Sequence, residues 1–146
     1  MVAALTVAAC GTSVAQRDAT YSEQLRTIDH RFTVSIASVL AAVGPSTPRA
    51  REVTAVGGFE TALAGVETQL RALAAPAIVA QLHRHLVKAI ARYGASVRRE
   101  VSVLGSSHVA TLTAGARRFR QATRRVAAVV AITVGAIRLR LRADDP

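Results

Sequence analysis

Val56-Gly57-Gly58-Phe59-Glu60-Thr61-Ala62-Leu63-Ala64-Gly65-Val66-Glu67-Thr68-Gln69-Leu70-Arg71-Ala72-Leu73 is the stretch that decides the fold. Its large apolar residues, Val56, Phe59, Leu63, Val66, Leu70 and Leu73, follow one another at alternating steps of three and four. On an α-helix that spacing winds them into one stripe, a heptad seam of about two and a half repeats. Gly57-Gly58 sits inside the seam and weakens the helix by about 1 kcal/mol per glycine relative to Ala, so a kink near residue 57 is expected unless another backbone packs closely there. Pro76 disfavours helical geometry in the residue before it and ends this helix near Ala74 or Ala75.

Outward from this seam the same steps recur. Upstream, Leu25, Ile28, Phe32, Ile36, Val39 and Val43 form a second stripe, on a helix expected from about Tyr21 to Val43 with Thr20 and Glu23 as a capping box. Gly44-Pro45-Ser46-Thr47-Pro48 breaks it, with Gly44 in the left-handed terminating position and Thr47 capping the next helix. Downstream, Ile78, Leu82, Leu86, Ala89, Tyr93, Val97, Val101 and Leu104 lie on one face of a third helix, and Arg84, Lys88, Arg92 and Arg99 on the other. Gly105 ends it, and a fourth helix of about 50 Å runs from about Ser107 to Arg140. Short connections between four amphipathic helices predict an all-α fold, an antiparallel four-helix bundle of up-down-up-down topology with a long C-terminal helix. Phe32, Phe59, Tyr93 and Phe119 place one aromatic on each helix, as core packing.

At 146 residues the chain is of one-domain length. Hydrophobic residues make up 51% and charged residues 19%, and much of the apolar excess is Ala and Val, as suits closely packed helices. Lys and Arg number 19 against 9 acidic residues, a net charge of +10 that favours anionic partners. The apolar run Val126 to Ile137, with Arg124, Arg125 and Arg138 at its ends, falls short of the roughly 18 residues that span a bilayer and reads as a buried helix segment.

The basic residues are not scattered. On a helical wheel Arg117, Arg118, Arg120, Arg124, Arg125, Arg138 and Arg142 fall within one arc of roughly 160° on helix four, with Leu112, Phe119, Val126, Val130 and Ile137 opposite. The arc is expected to face outward, either as an ordinary solvated face or as an anion-binding strip in which each Arg near an anionic membrane contributes about 1 kcal/mol. Nucleic acid is the other polyanion to weigh. Aromatics at 3% leave little for stacking bases, and no DNA- or RNA-binding motif is recognisable, so nucleic acid is the weaker expectation.

At the N-terminus, Val2 to Val7 is apolar, Ala8 and Ala9 are small, and Cys10 is the only cysteine of the chain. Val7-Ala8-Ala9-Cys10 resembles the lipobox of bacterial lipoproteins, an aliphatic residue, two small residues and a Cys; the polar Gly11-Thr12-Ser13 is similar to the tether that follows it. The resemblance covers about ten residues. It implies that the Cys10 thiol receives a diacylglyceryl group, that the preceding peptide is removed, and that the protein is exported and held on the outer side of the cytoplasmic membrane. No basic residue precedes the apolar stretch, so Met1 is expected to lie within a longer signal. The expected organisation is a signal remnant at 1–9, a lipidated tether at 10–20, the bundle at 21–142 and a frayed tail at 143–146.

Little else points to chemistry. A lone cysteine excludes an intramolecular disulfide and a multi-thiolate zinc site. His83 and His85 are two apart and project some 200° from each other on a helix, so one helix face cannot use both for a metal. Glu60 and Glu67 read as ion-pairing residues, Glu67 with Arg71. No nucleophile elbow, Ser-x-x-Lys or phosphate loop is present, so neither catalytic residues nor a cofactor are expected. The leading expectation is a lipid-anchored helical protein that binds or scaffolds. The rivals are a carrier holding an apolar small molecule between its helices and a cytoplasmic protein that binds nucleic acid.

Overall fold

A computed structural model describes residues 13–44, 46–104 and 109–143, with side chains throughout except at 103–104 and 109–113. Four helices account for nearly all of it: α1 (Val14–Ala42), α2 (Arg49–Ala72), α3 (Ala80–Leu104) and α4 (Val109–Ala143), with one 3-10 turn, Ala77–Val79, leading into α3. Each helix packs against its chain neighbours, and α1 packs against α4 to close the ring, while the diagonal pairs make no close backbone approach. The fold is an antiparallel up-down-up-down four-helix bundle whose last helix, at 35 residues, is the longest element.

The stripes of α1 and α2 are buried as their spacing dictates: Leu25, Ile28, Phe32, Ile36, Val39 and Val43 from the first, Val56, Phe59, Leu63, Val66 and Leu70 from the second. Leu73 packs at the edge. α2 runs through Gly57-Gly58 as one helix, and nothing lies within 4 Å of a Cβ built at either glycine. Close backbone packing therefore does not explain the pair, and it is the burial of Val56 and Phe59 on either side that carries the helix across it. Phe59 is the hub of the aromatic layer, its ring centre 6.0 Å from that of Tyr93 and 6.2 Å from that of Phe119, both edge-to-face.

Four local expectations change. α1 begins at Val14 rather than Tyr21, because the Ser13 hydroxyl accepts from the Gln16 amide, while Thr20 bonds back to the Gln16 carbonyl and caps nothing. Of the segment expected as a tether, residues 14–20 are thus helical. Gly44 has no left-handed φ; α1 ends on the extended, buried Val43, and the Gly44 amide donates to Glu52 at 3.2 Å. α2 starts on Pro48, whose carbonyl accepts from the Arg51 and Glu52 amides, and Thr47 belongs to the turn before it. The buried face of α3 keeps Leu86, Tyr93 and Val97 and takes in Val79, His83 and Ile90, leaving Ile78 and Leu82 at its margin. Of the expected frayed tail, residues 144–146 lie outside the described residues.

That face of α3 buries a histidine. The Tyr21 hydroxyl, on the diagonally opposite helix, shares a hydrogen bond of 3.0 Å with His83 Nδ1. A second polar bridge lies along the axis, where Tyr93 donates to Thr123 and Thr123 donates to the Phe119 carbonyl. Burial pushes both phenols up to about 12, so they stay protonated donors. No buried side-chain polar atom among the described residues lacks a partner, which lets these groups sit in the core without the usual desolvation cost.

Desolvation holds His83 below its ordinary value of 6.5, with the Leu70 carbonyl working against it. As pH falls through 6.5 the unfolded chain takes up a proton that the folded chain refuses. Stability is therefore full above 6.5 and falls toward the lowered pKa, at no more than about 1.4 kcal/mol per pH unit. His83→Gln keeps an acceptor for Tyr21 and removes the titration. Urea midpoints at pH 7.5 and 5.5 should fall more for the wild type than for His83→Gln; equal falls would show that the imidazole is not held neutral.

Candidate anion-binding face

Charge is divided between the two halves of the bundle. α1 and α2 carry six basic and six acidic residues. α3 and α4 carry thirteen basic residues and one acid, Glu100. The excess of the whole chain thus sits on one pair of adjacent helices, where Arg84, Lys88, Arg92, Arg98 and Arg99 are exposed on α3.

α4 separates the seven arginines of the expected strip into two groups. Arg117, Arg118, Arg124, Arg125 and Arg142 are exposed, joined by Arg140 from just outside the arc. Arg120 and Arg138 are half-buried: Arg120 donates to the Val43 carbonyl at the end of α1 at 3.1 Å, and Arg138 donates to the Asp29 carboxylate at 3.1 Å. These two are eighteen residues apart, five whole helical turns, so both lie on one edge of the arc, and that edge faces α1. They tie α4 to α1 rather than join the outward strip.

The sequence reading missed what lies between the exposed arginines. The run Val126 to Ile137 is only half interior: Val126, Val130, Thr133, Val134 and Ile137 enter the core, while Ala128, Val129, Ala131 and Ile132 face outward. Ile132 is 74% exposed and Leu139, two turns on, 69%. Both fall near the midline of the arc that carries the arginines. The outer face of α4 is therefore basic from Arg117 to Arg125, apolar to Leu139, and basic again at Arg140 and Arg142. The signal was present in the sequence as the uncharged gap in the arginine arc.

Antiparallel packing sets the flank. Tyr93 meets Thr123, and Glu100 lies beside Gly115, a register that brings Lys88 and Arg84 level with Ala128 and Ile132. At the far end of α4, Leu141 and Arg142 share with Val14, Asp18 and Glu23 of α1 an open groove of about 810 Å³. The start of α1 thus lies beside the end of the basic-apolar face.

The remaining candidates fall elsewhere. Cys10 lies outside the described residues, as does His108. His30 and His85 are exposed and far from His83 in setting, and among the described residues no three metal-ligating side chains cluster. The Glu67 carboxylate accepts twice from Arg71, at 2.8 and 3.0 Å, on the helix surface. Two crevices that reach the core, one beside Phe32 and one beside Phe119, hold about 10 Å³ each. No helix among the described residues is long and apolar enough to cross a membrane. No known protein family matches the chain, and neither the curated proteins nor the solved structures contain a match.

Proposed function

We propose that this is an exported lipoprotein, held through lipid on Cys10 at the outer side of the cytoplasmic membrane, whose bundle binds or scaffolds at that surface and does no catalysis. The observation that carries the reading is the one-sided charge, thirteen basic residues against one acid on α3 and α4. A diacylglyceryl group carries two acyl chains and anchors by itself, so a basic half adds the contact that brings the tethered bundle down onto an anionic surface. The lipobox-like Val7-Ala8-Ala9-Cys10 supplies the anchor and the α3–α4 half the contact.

The rivals fit less of the molecule. Phosphates of a nucleic acid would match the arginines and leave Ile132 and Leu139 against polar groups. An apolar cargo needs enclosed volume, and among the described residues the crevices that reach the core beside Phe32 and Phe119 admit about one water each, while the larger hollow beside Val34 and Val66 is open to solvent.

Metabolic labelling with a palmitate analogue, in a bacterial host expressing the full upstream reading frame, tests the anchor. The wild type should be labelled and Cys10→Ala should not. Label retained on Cys10→Ala, or none on the wild type, sinks the lipoprotein reading.

A further inference from the structure

We infer that the outer face of α4 seats in the interfacial layer of an anionic bilayer, with Val129, Ile132 and Leu139 entering the acyl boundary between two clusters of arginines that hold headgroup phosphates. This rests on the proposed surface-binding role and names the contact that performs it. The bundle would lie with α4 in the membrane plane, its exposed apolar side chains at the depth an interfacial helix reaches, the boundary of headgroups and acyl chains, and its arginines among the headgroups.

Three observations select this occupant. First, Ile132 and Leu139 are among the most exposed large apolar residues of the protein, and they sit on the midline of the charged face. Water is a poor neighbour for that pairing, and an acyl layer beneath phosphates satisfies both parts. Second, charge argues against a second copy of the chain. α4 has no acidic residue, so two such faces laid together antiparallel would bring the Arg117–Arg125 cluster of one against Arg140 and Arg142 of the other. Third, the address agrees. Ser13, three residues after Cys10, lies at the end of the bundle where Leu141 and Arg142 finish the face. Three residues of chain reach no further than about 11 Å, so an acyl chain on Cys10 would enter the bilayer beside the end of this surface.

The full chain carrying Cys10→Ala has no native thiol, so a single added cysteine can report depth. An environment-sensitive fluorophore is attached through Ile132→Cys on α4 or Val34→Cys on the exposed side of α1. The probe is a vesicle of phosphatidylglycerol and phosphatidylcholine with bromine atoms on the acyl chains. The label at 132 should shift to the blue and be quenched by the bromines, and the label at 34 should do neither. In separate unlabelled chains, Ile132→Ser with Leu139→Ser should lower partitioning about tenfold while leaving the urea midpoint unchanged, since both sites are on the surface.

A chain that binds while its 132 label stays in water overturns this inference and leaves the surface-binding reading in place. A chain that does not bind anionic vesicles at low salt overturns both. Concentration-dependent shielding of position 132 without vesicles assigns the face to a second copy and overturns the inference.

Discussion

Phe59→Ala is expected to remove about 3–5 kcal/mol of stability, the largest loss from any single truncation on the α2 seam. The ring is 3% exposed and stacks edge-to-face on Tyr93 of α3 and Phe119 of α4, so it joins three helices in one layer. Its neighbours cannot close the gap. Tyr93 is held by its hydrogen bond to Thr123, and Thr123 by its bond to the Phe119 carbonyl. A site that cannot collapse keeps its cavity, which places the cost toward the upper end of the range. Gly57-Gly58 adds to it, because that part of α2 has little helix propensity of its own and depends on the anchor next to it. Against a total stability of about 5–15 kcal/mol for a domain of this size, the variant would sit near the edge of folding. Urea unfolding read by circular dichroism measures the loss. Phe59→Leu should cost less than about 2 kcal/mol, and Val34→Ala, at an exposed site, within about 0.5. A loss below about 1 kcal/mol for Phe59→Ala would mean that the aromatic layer is not what holds α2 to the other helices.

Reversal of Arg117, Arg118, Arg124 and Arg125 to Glu should abolish binding of the Cys10→Ala chain to anionic vesicles. Each arginine near such a surface supplies about 1 kcal/mol, and each glutamate replaces that attraction with repulsion of similar size. Four reversals thus change partitioning by well over a thousandfold. All four side chains are exposed, so helicity should not change. The wild-type chain should also leave the vesicles as salt is raised toward about 1 M, where the screening length falls to about 3 Å. Vesicle sedimentation reads both effects. Undiminished binding by the reversed chain would remove α4 from the anionic contact. Arg120 and Arg138 are unsuited to this experiment, because reversing either would break a contact to α1 and confound binding with folding.

The seams of α1 and α2 were legible because their large apolar residues recur at helical steps with few competitors. On α3 Leu86, Tyr93 and Val97 were legible and the start of the face was not, because it includes a histidine, and a polar residue counts as core only once its partner is known. That partner, Tyr21, is 62 residues away. The start of α1 was ambiguous because Ser13 and Thr20 both have capping chemistry, and only the structure shows which hydroxyl accepts from an amide. On α4 the arginine arc was legible and its edges were not. Whether an arginine at the margin faces water or a neighbouring helix depends on where α1 packs, which no wheel contains. The apolar gap is legible only through the arginines on either side of it: the run itself, hydrophobic nearly all round, does not say which half turns outward.

The early start of α1 makes any lipid leash very short. With helix from Val14 onward, only about 11 Å of chain would separate an acylated Cys10 from a rigid body. Linkers of that length hold a second contact at effective concentrations in the millimolar range. A face that holds lipid only briefly as a free molecule would then be seated for most of its lifetime, and what its residues would chiefly set is the angle at which the α1–α2 half is held away from the bilayer.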